Sequence, residues 1–287
     1  MFEKDSEGYL SEVFSSIQGE GGTVRGSCFG KRQIFVRLSG CNLAEGDFGY
    51  VGCIWCDSPC AQKLESLKFK YEENPGSQKL INSNNPVGIA EIIRIIKKLI
   101  TLDLHSLSFT GGEPLYQPDF VLNLSKALKG ARIEYPLYLE TNGTMILDNS
   151  QMKQLATYFK YCCCDIKDLS SKVAPPDPWK NLVITELDFI RNIVKYGTET
   201  FAKLVVTSQT QLRDVRWISK ELSKITYSDG QVVGLAIQPV YLESKELKDK
   251  YSISTAHLNN IFYSAAEFLP SESLTLSIQA HKYLKLL

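Results

Sequence analysis

Along the chain, short apolar and β-branched runs alternate with longer segments whose apolar positions recur at helical spacing. The short runs fall at residues 33–38, 106–110, 137–141, 161–166, 202–207, 233–238 and 275–279, and their length and composition predict strands. Stretches such as FVRL, LYLE, KLVV and LAIQ are nearly continuous in hydrophobicity, which is the pattern of strands covered on both faces by helices in a parallel sheet. Residues 88–101, 119–129, 149–159, 182–195, 211–224 and 255–268 read as the intervening helices. A serial repeat of about six βα units predicts an α/β fold of the partial (β/α) barrel type.

Two stretches break this rhythm. Residues 64–86, rich in Lys, Asn, Ser, Glu and Gly, read as an inserted surface loop. Residues 170–180, SSKVAPPDPWK, are Pro-rich and predict irregular backbone. No internal repeat or clean boundary divides the chain, so residues 1–287 are expected to form a single domain.

Composition narrows the partners. With 44% hydrophobic and 22% charged residues, the chain can bury a substantial core. Lys plus Arg equals Asp plus Glu at 32 each, which argues against a general polyanion-binding surface. A small molecule, not nucleic acid, is therefore the expected partner. The polar, acidic start MFEKDSEGYLSE is unlike a secretory signal, and no apolar run reaches the length of a membrane span. A cytoplasmic location is expected, where eight cysteines are better explained by metal binding or burial than by disulfides.

Barrels of this type place their active sites at the carboxyl ends of the strands. Cys41 follows the first predicted strand, Gly111–Glu113 the second, Asn142 the third, Lys167 the fourth and Gln238–Pro239 the sixth. Cys41, Cys53 and Cys56 form C-x11-C-x2-C. Thiolates suit iron–sulfur clusters or zinc, and three ligands would leave one iron of a cubane open to a chelating substrate. Cys60 follows four residues later, so spacing alone also keeps open a zinc site on Cys41, Cys53, Cys56 and Cys60. Cys162, Cys163 and Cys164 are consecutive, so in a strand they point to alternate faces; they read as small buried hydrophobes. Cys28 and Cys60 read as structural when no zinc is invoked.

The segment Cys53-Ile54-Trp55-Cys56 resembles the second half of the cysteine loop of the radical S-adenosylmethionine (AdoMet) superfamily, with a first gap lengthened by about residues 44–51. Thr110-Gly111-Gly112-Glu113-Pro114 resembles the superfamily segment that binds the methionine amine. Further segments resemble one family, the 7-carboxy-7-deazaguanine synthases. They are Phe14-Ser15-Ser16-Ile17-Gln18-Gly19-Glu20-Gly21, the run from Phe35 to Asn42, Glu140-Thr141-Asn142-Gly143-Thr144, and Gln279-Ala280-His281-Lys282-Tyr283.

This resemblance implies a ring contraction of 6-carboxy-5,6,7,8-tetrahydropterin with loss of ammonia, in 7-deazapurine biosynthesis of the queuosine or archaeosine type. It implies a [4Fe–4S] cluster on Cys41, Cys53 and Cys56, AdoMet, Mg2+ at Ser58, an electron donor such as flavodoxin or ferredoxin, and a homodimer. By matching position, substrate falls to Ile17, Gln18, Gly19, Glu20, Arg37, Thr110, His281 and Leu287. The guanidinium of Arg37 suits the substrate carboxylate, and Glu20 can accept from two ring N–H groups. The cofactor falls to Gly111, Gly112, Glu113, Glu140, Asn142, Asp165, Ile166, Lys167, Gln238, Pro239, Val240 and Tyr241. Residues 1–30 become a substrate segment and 275–287 a closing tail. Another radical enzyme, such as a glycyl-radical activase docking a protein partner, and a non-catalytic zinc protein remain as alternatives.

Overall fold

The computed structural model describes residues 6–50 and 52–287, so the first five residues of the substrate segment and Val51 of the cysteine gap lie outside the described residues. Strands β1 (Glu7–Gly8), β2 (Leu10–Ile17) and β3 (Arg32–Leu38) come first. The short helix α1 (Asn42–Glu45) is followed by β4 (Lys68–Glu72), β5 (Leu80–Asn84) and β6 (Val87–Gly88). Helices and strands then alternate: α2 (Ile89–Leu99), β7 (Leu104–Gly111), α3 (Pro118–Gly130), β8 (Leu137–Thr141), α4 (Asn149–Tyr158) and β9 (Phe159–Ile166). The series continues with α5 (Pro176–Lys195), β10 (Glu199–Val206), α6 (Leu212–Leu222) and β11 (Gly234–Pro239). Helices α7 (Lys245–Tyr251) and α8 (Thr255–Ala266) precede β12 (Leu274–Leu276), and α9 (Ala280–Leu284) lies near the end.

Ten strands form one sheet in the order β12-β11-β10-β9-β8-β7-β3-β2-β4-β5. The run from β3 through β7 to β12 is parallel, with helical crossovers between successive strands, as the βα repeat predicts. The sheet is open, with β12 and β5 at its edges, so the barrel is partial.

Alternation along each parallel strand separates two environments. Val36, Leu107, Leu139, Cys164, Leu204 and Ile237 face the helices and join the main buried cluster. Their neighbours Arg37, Thr110, Glu140, Cys163, Lys203 and Gln238 face the inside of the curved sheet. Helix α2 shows how the outer layer is specified: Ile92, Ile95, Ile96 and Leu99 fall at i, i+3, i+4 and i+7 and are fully buried. Each such side chain contributes about 1.5–3 kcal/mol on burial. Among the described residues, no helix is long and apolar enough to cross a membrane.

Three local readings are corrected and one strand is added. Residues 64–86 are no plain loop: β4 and β5 form an antiparallel hairpin that extends the sheet beyond β2. Its anchors are buried Phe69 and the Glu72 carboxylate, which accepts from the backbone N–H groups of Ser15 and Gln78. Segment 10–17, read for its signature, is itself strand β2, antiparallel to β3. The Pro-rich stretch ends inside α5, whose first turn takes Pro176 because the missing N–H costs nothing there. The last strand stops at Leu276, short of residue 279, although the Ser277 N–H still donates to the Ile237 carbonyl of β11.

Candidate active site

The carboxyl ends of the parallel strands open into a cavity of about 330 Å3, a size suited to a small ligand. All the site residues expected from sequence line it except Glu113 and Pro239. The two ends of the chain close one side together. The backbone N–H of Ala280 donates to the Gly19 carbonyl at 3.0 Å, and that of Gly21 donates to the Ser277 hydroxyl at 2.9 Å. A Cβ on Gly19 would lie 2.5 Å from His281 Nδ1, so glycine lets the two segments touch.

Cys41, Cys53 and Cys56 border this cavity, and all eight cysteines are free thiols. Their loop rests on the glycine-rich turn after β7: Gly112 donates to the Leu38 carbonyl and Glu113 N–H to that of Gly40. Side chains are excluded from this junction, because a Cβ on Gly112 would meet the Gly40 carbonyl oxygen at 2.2 Å. The TGGEP turn therefore sets where Cys41 enters the cavity. Burial pushes the Cys53 thiol up to about 12 and raises Cys41 and Cys56, while Lys167 pulls all three the other way. Binding a metal centre must release those protons. Tetrahedral zinc brings its sulfurs within about 3.8 Å of one another. Glu20, Asp57 and His281 bring their ligand atoms within 4.8 Å of one another in the same cavity. Cys60 is exposed at the rim, not a buried structural residue.

Glu113 is placed differently from its expected role. Its carboxylate is fully buried and accepts from Leu115 N–H, Thr141 Oγ1 and Asn142 N–H at 2.7–2.8 Å, tying β7 to β8. Burial raises its pKa to about 7 against those donors. Unfolded, it titrates near 4.5, so its contribution to stability is full below about pH 4.5 and is lost as pH rises through 7. A shift of this size corresponds to about 3 kcal/mol. The urea midpoint of wild type relative to Glu113→Gln is expected to fall between pH 5 and 8; a pH-independent difference would show Glu113 ionised throughout.

On the substrate side, Arg37 Nη1 donates to the Ser58 hydroxyl, and its Nε lies 3.2 Å from Glu12. Ser58 in turn donates to Asp57 at 3.1 Å. The Gln18 amide is fully engaged, donating to Gln33 and Glu140 and accepting from Glu20 N–H. Glu140 accepts from Gln18 and Thr110, two of the residues that the resemblance assigns to substrate. Burial depresses the pKa of His281, although Glu20 and Asp57 oppose this.

On the cofactor side, Lys167 is bonded to Asp165 Oδ2 at 2.8 Å. The other oxygen, Asp165 Oδ1, is buried with no hydrogen-bond partner among the described residues. Asn142 is held by Asn42 and caps Thr144, and Ile166, Gln238, Val240 and Tyr241 line the same side.

Sequence reasoning missed Lys203, Gln279, Glu12 and Asp57 as site residues. Lys203 bridges to Glu20 at 2.6 Å, and Gln279 donates to both Glu20 and Asp57. A signal for Lys203 existed: like Arg37, it is a lone cation inside an apolar strand, FAKLVV.

Fold and site together define an α/β enzyme whose strand-end cavity presents three thiols beside a charged small-molecule pocket. The chain is 35% identical over 281 residues to 7-carboxy-7-deazaguanine synthase of Thermococcus kodakarensis, covering 97% of this chain and 98% of that protein. It is 32% identical over 279 residues to that of Methanocaldococcus jannaschii, covering 97% and 100%. The chain belongs to the 7-carboxy-7-deazaguanine synthase family. No protein-family model matches it. Among solved structures it is similar to hexahistidine-tagged anSMEcpe with bound AdoMet, at TM-score 0.48 and 20% identity over 80% of this chain and 57% of that one. It is also similar to Escherichia coli coproporphyrinogen III oxidase, described as a radical SAM enzyme, at TM-score 0.43 and 13% identity over 64% and 43%.

Proposed function

We propose that this chain, acting as one domain, converts 6-carboxy-5,6,7,8-tetrahydropterin to 7-carboxy-7-deazaguanine with release of ammonia. The supporting observation is the meeting, in one cavity, of three free thiols, the unpartnered Asp165 oxygen and the separate opposite charges of Arg37 and Glu20. Cys41, Cys53 and Cys56 would hold a [4Fe–4S] cluster, with AdoMet against Gly111, Gly112, Asp165 and the Gln238–Tyr241 stretch. When bound, these groups would supply the hydrogen-abstracting radical chemistry that such a ring contraction needs.

The protein's own part is positioning and exclusion of water. Arg37 offers a planar fork to the substrate carboxylate. Glu20 faces the guanidine-like edge of the pterin, whose N–H groups it can accept, while Thr110 and Ile17 border the ring. His281 and Leu287 bring the tail over the cavity and keep out solvent. An electron donor such as flavodoxin or ferredoxin, a homodimer and a cytoplasmic setting belong to this reading.

Mg2+ favours hard oxygen ligands and keeps several waters. The Ser58 hydroxyl beside the Asp57 carboxylate is such a pair, and both line the cavity. Ser58→Ala is expected to raise the Mg2+ concentration for half-maximal turnover about 10-fold or more, the scale on which even outer-shell changes act. An unaltered midpoint would assign the metal to another ligand. The reading as a whole is tested by incubating cluster-loaded protein with the carboxypterin, AdoMet, Mg2+ and reductant. A product with the mass of 7-carboxy-7-deazaguanine is expected; its absence from an intact, AdoMet-cleaving preparation would overturn the substrate assignment.

A further inference from the structure

One buried cation of the cavity has no role in that reaction: Lys203, in the middle of β10. A lysine in a central strand is costly, because its charge leaves water and its long side chain is immobilised. Only 12% of the Lys203 side chain is exposed. Its register partners are Asp165 on β9 and the small Ala236 on β11, which leaves room for the stem to run into the cavity.

The amino group meets Glu20 at 2.6 Å and lies 3.8 Å from Asp165. Glu20 is fixed at two further points. Its other carboxylate oxygen accepts from Gln279 Nε2 at 2.8 Å, and its backbone N–H donates to Gln18 Oε1 at 3.1 Å. Each carboxylate oxygen has a second lone pair, so both remain able to accept from a ligand. Without the cation, the largely buried Glu20 carboxylate would face Asp57 within 4.8 Å and Glu140 beyond it with its own counter-ion gone, and it would turn from its present aim.

We propose that Lys203 sets which ring systems the site accepts: by holding the Glu20 carboxylate charge-balanced and aimed into the cavity, it selects rings carrying two adjacent N–H donors on one edge. A 2-aminopyrimidinone ring has that edge; the same ring without its exocyclic amine does not. Lys203 is a positioning residue acting through Glu20, and its role rests on the proposed function. A site built on paired hydrogen bonds discriminates strongly, because a ligand lacking one donor leaves a buried acceptor unpaired.

The test is equilibrium binding of 6-carboxypterin and its 2-desamino analogue to cluster-loaded wild type, K203M, K203R, E20Q and K203M/E20Q. Wild type is expected to prefer the pterin by about 100-fold or more. K203M should lose about 10–100-fold in pterin affinity, as when one partner of a buried charge pair is removed, with little change for the analogue. K203R should recover most of the preference. Adding K203M to E20Q should change pterin affinity by less than about 2-fold, because the two act as one unit. Should K203M lose its cluster absorption, K203Q takes its place with the same collapse of preference expected. Wild-type preference in a folded Lys203 variant, or independent addition of the two losses, would overturn the role of Lys203. Failure of wild type to bind the pterin at all would overturn the proposed function and this role with it.

Discussion

Cys53→Ala is expected to abolish both cluster assembly and turnover. Cys53 and Cys56 sit on one tight turn, closed by the Cys56 N–H on the Cys53 carbonyl at 3.2 Å. Cys41 reaches the same cavity from the end of β3. Removing one thiolate leaves two ligands for a centre that needs three, and no neighbouring hard oxygen substitutes for soft sulfur. Anaerobic reconstitution followed by iron and sulfide analysis and visible absorption checks this. Wild-type iron content with retained turnover would remove the cluster assignment. Cys60→Ala is the control: an exposed thiol at the rim should be dispensable to a cluster but not to a four-cysteine zinc site.

Arg37→Ala is expected to weaken carboxypterin binding about 100-fold or more, equivalent to about 3 kcal/mol, with the cluster spectrum unchanged. The Arg37 side chain is only 19% exposed, and its guanidinium is steadied by Glu12, by Ser58 and by the Phe14 ring 5.5 Å away. Truncation removes a rigid fork and leaves Glu12 without its counter-ion. The measurement is the dissociation constant of 6-carboxypterin set against that of the pterin lacking its carboxylate. The loss should be confined to the carboxylated ligand. Equal losses for both, or none, would show that Arg37 does not hold the carboxylate.

The parts of the fold legible in the sequence are those where burial on both faces left continuous apolar strands. KLVV, LAIQ and FVRL are strands of the parallel run, in the order their alternation with helices implies. The β4–β5 hairpin escaped because its strands lie near the sheet edge and keep many polar positions exposed, so LINSN looks like loop. The start of α5 escaped because prolines signal irregular backbone until their place in a first turn is known.

What was legible is which residues line the cavity, as for the three cysteines and Arg37, because strand order and residue type both pointed there. What stayed hidden were directions and long-range partners. Glu113 turns from the cavity to bind Asn142 and Leu115, which no spacing reveals. Lys203 and Glu20 pair across 183 positions of sequence. Such a pair exists only once the first segment has folded over the open side of the sheet.

The central claim is that this cavity generates a radical on AdoMet and uses it at pterin C6. The most direct measurement follows deuterium from C6-labelled 6-carboxytetrahydropterin during turnover by cluster-loaded protein with AdoMet, Mg2+ and reductant. The account requires formation of 7-carboxy-7-deazaguanine together with deuterium at the 5′ carbon of recovered AdoMet or 5′-deoxyadenosine. Unlabelled adenosyl carbon with the pterin recovered intact, from protein that carries its cluster and binds both ligands, would contradict it.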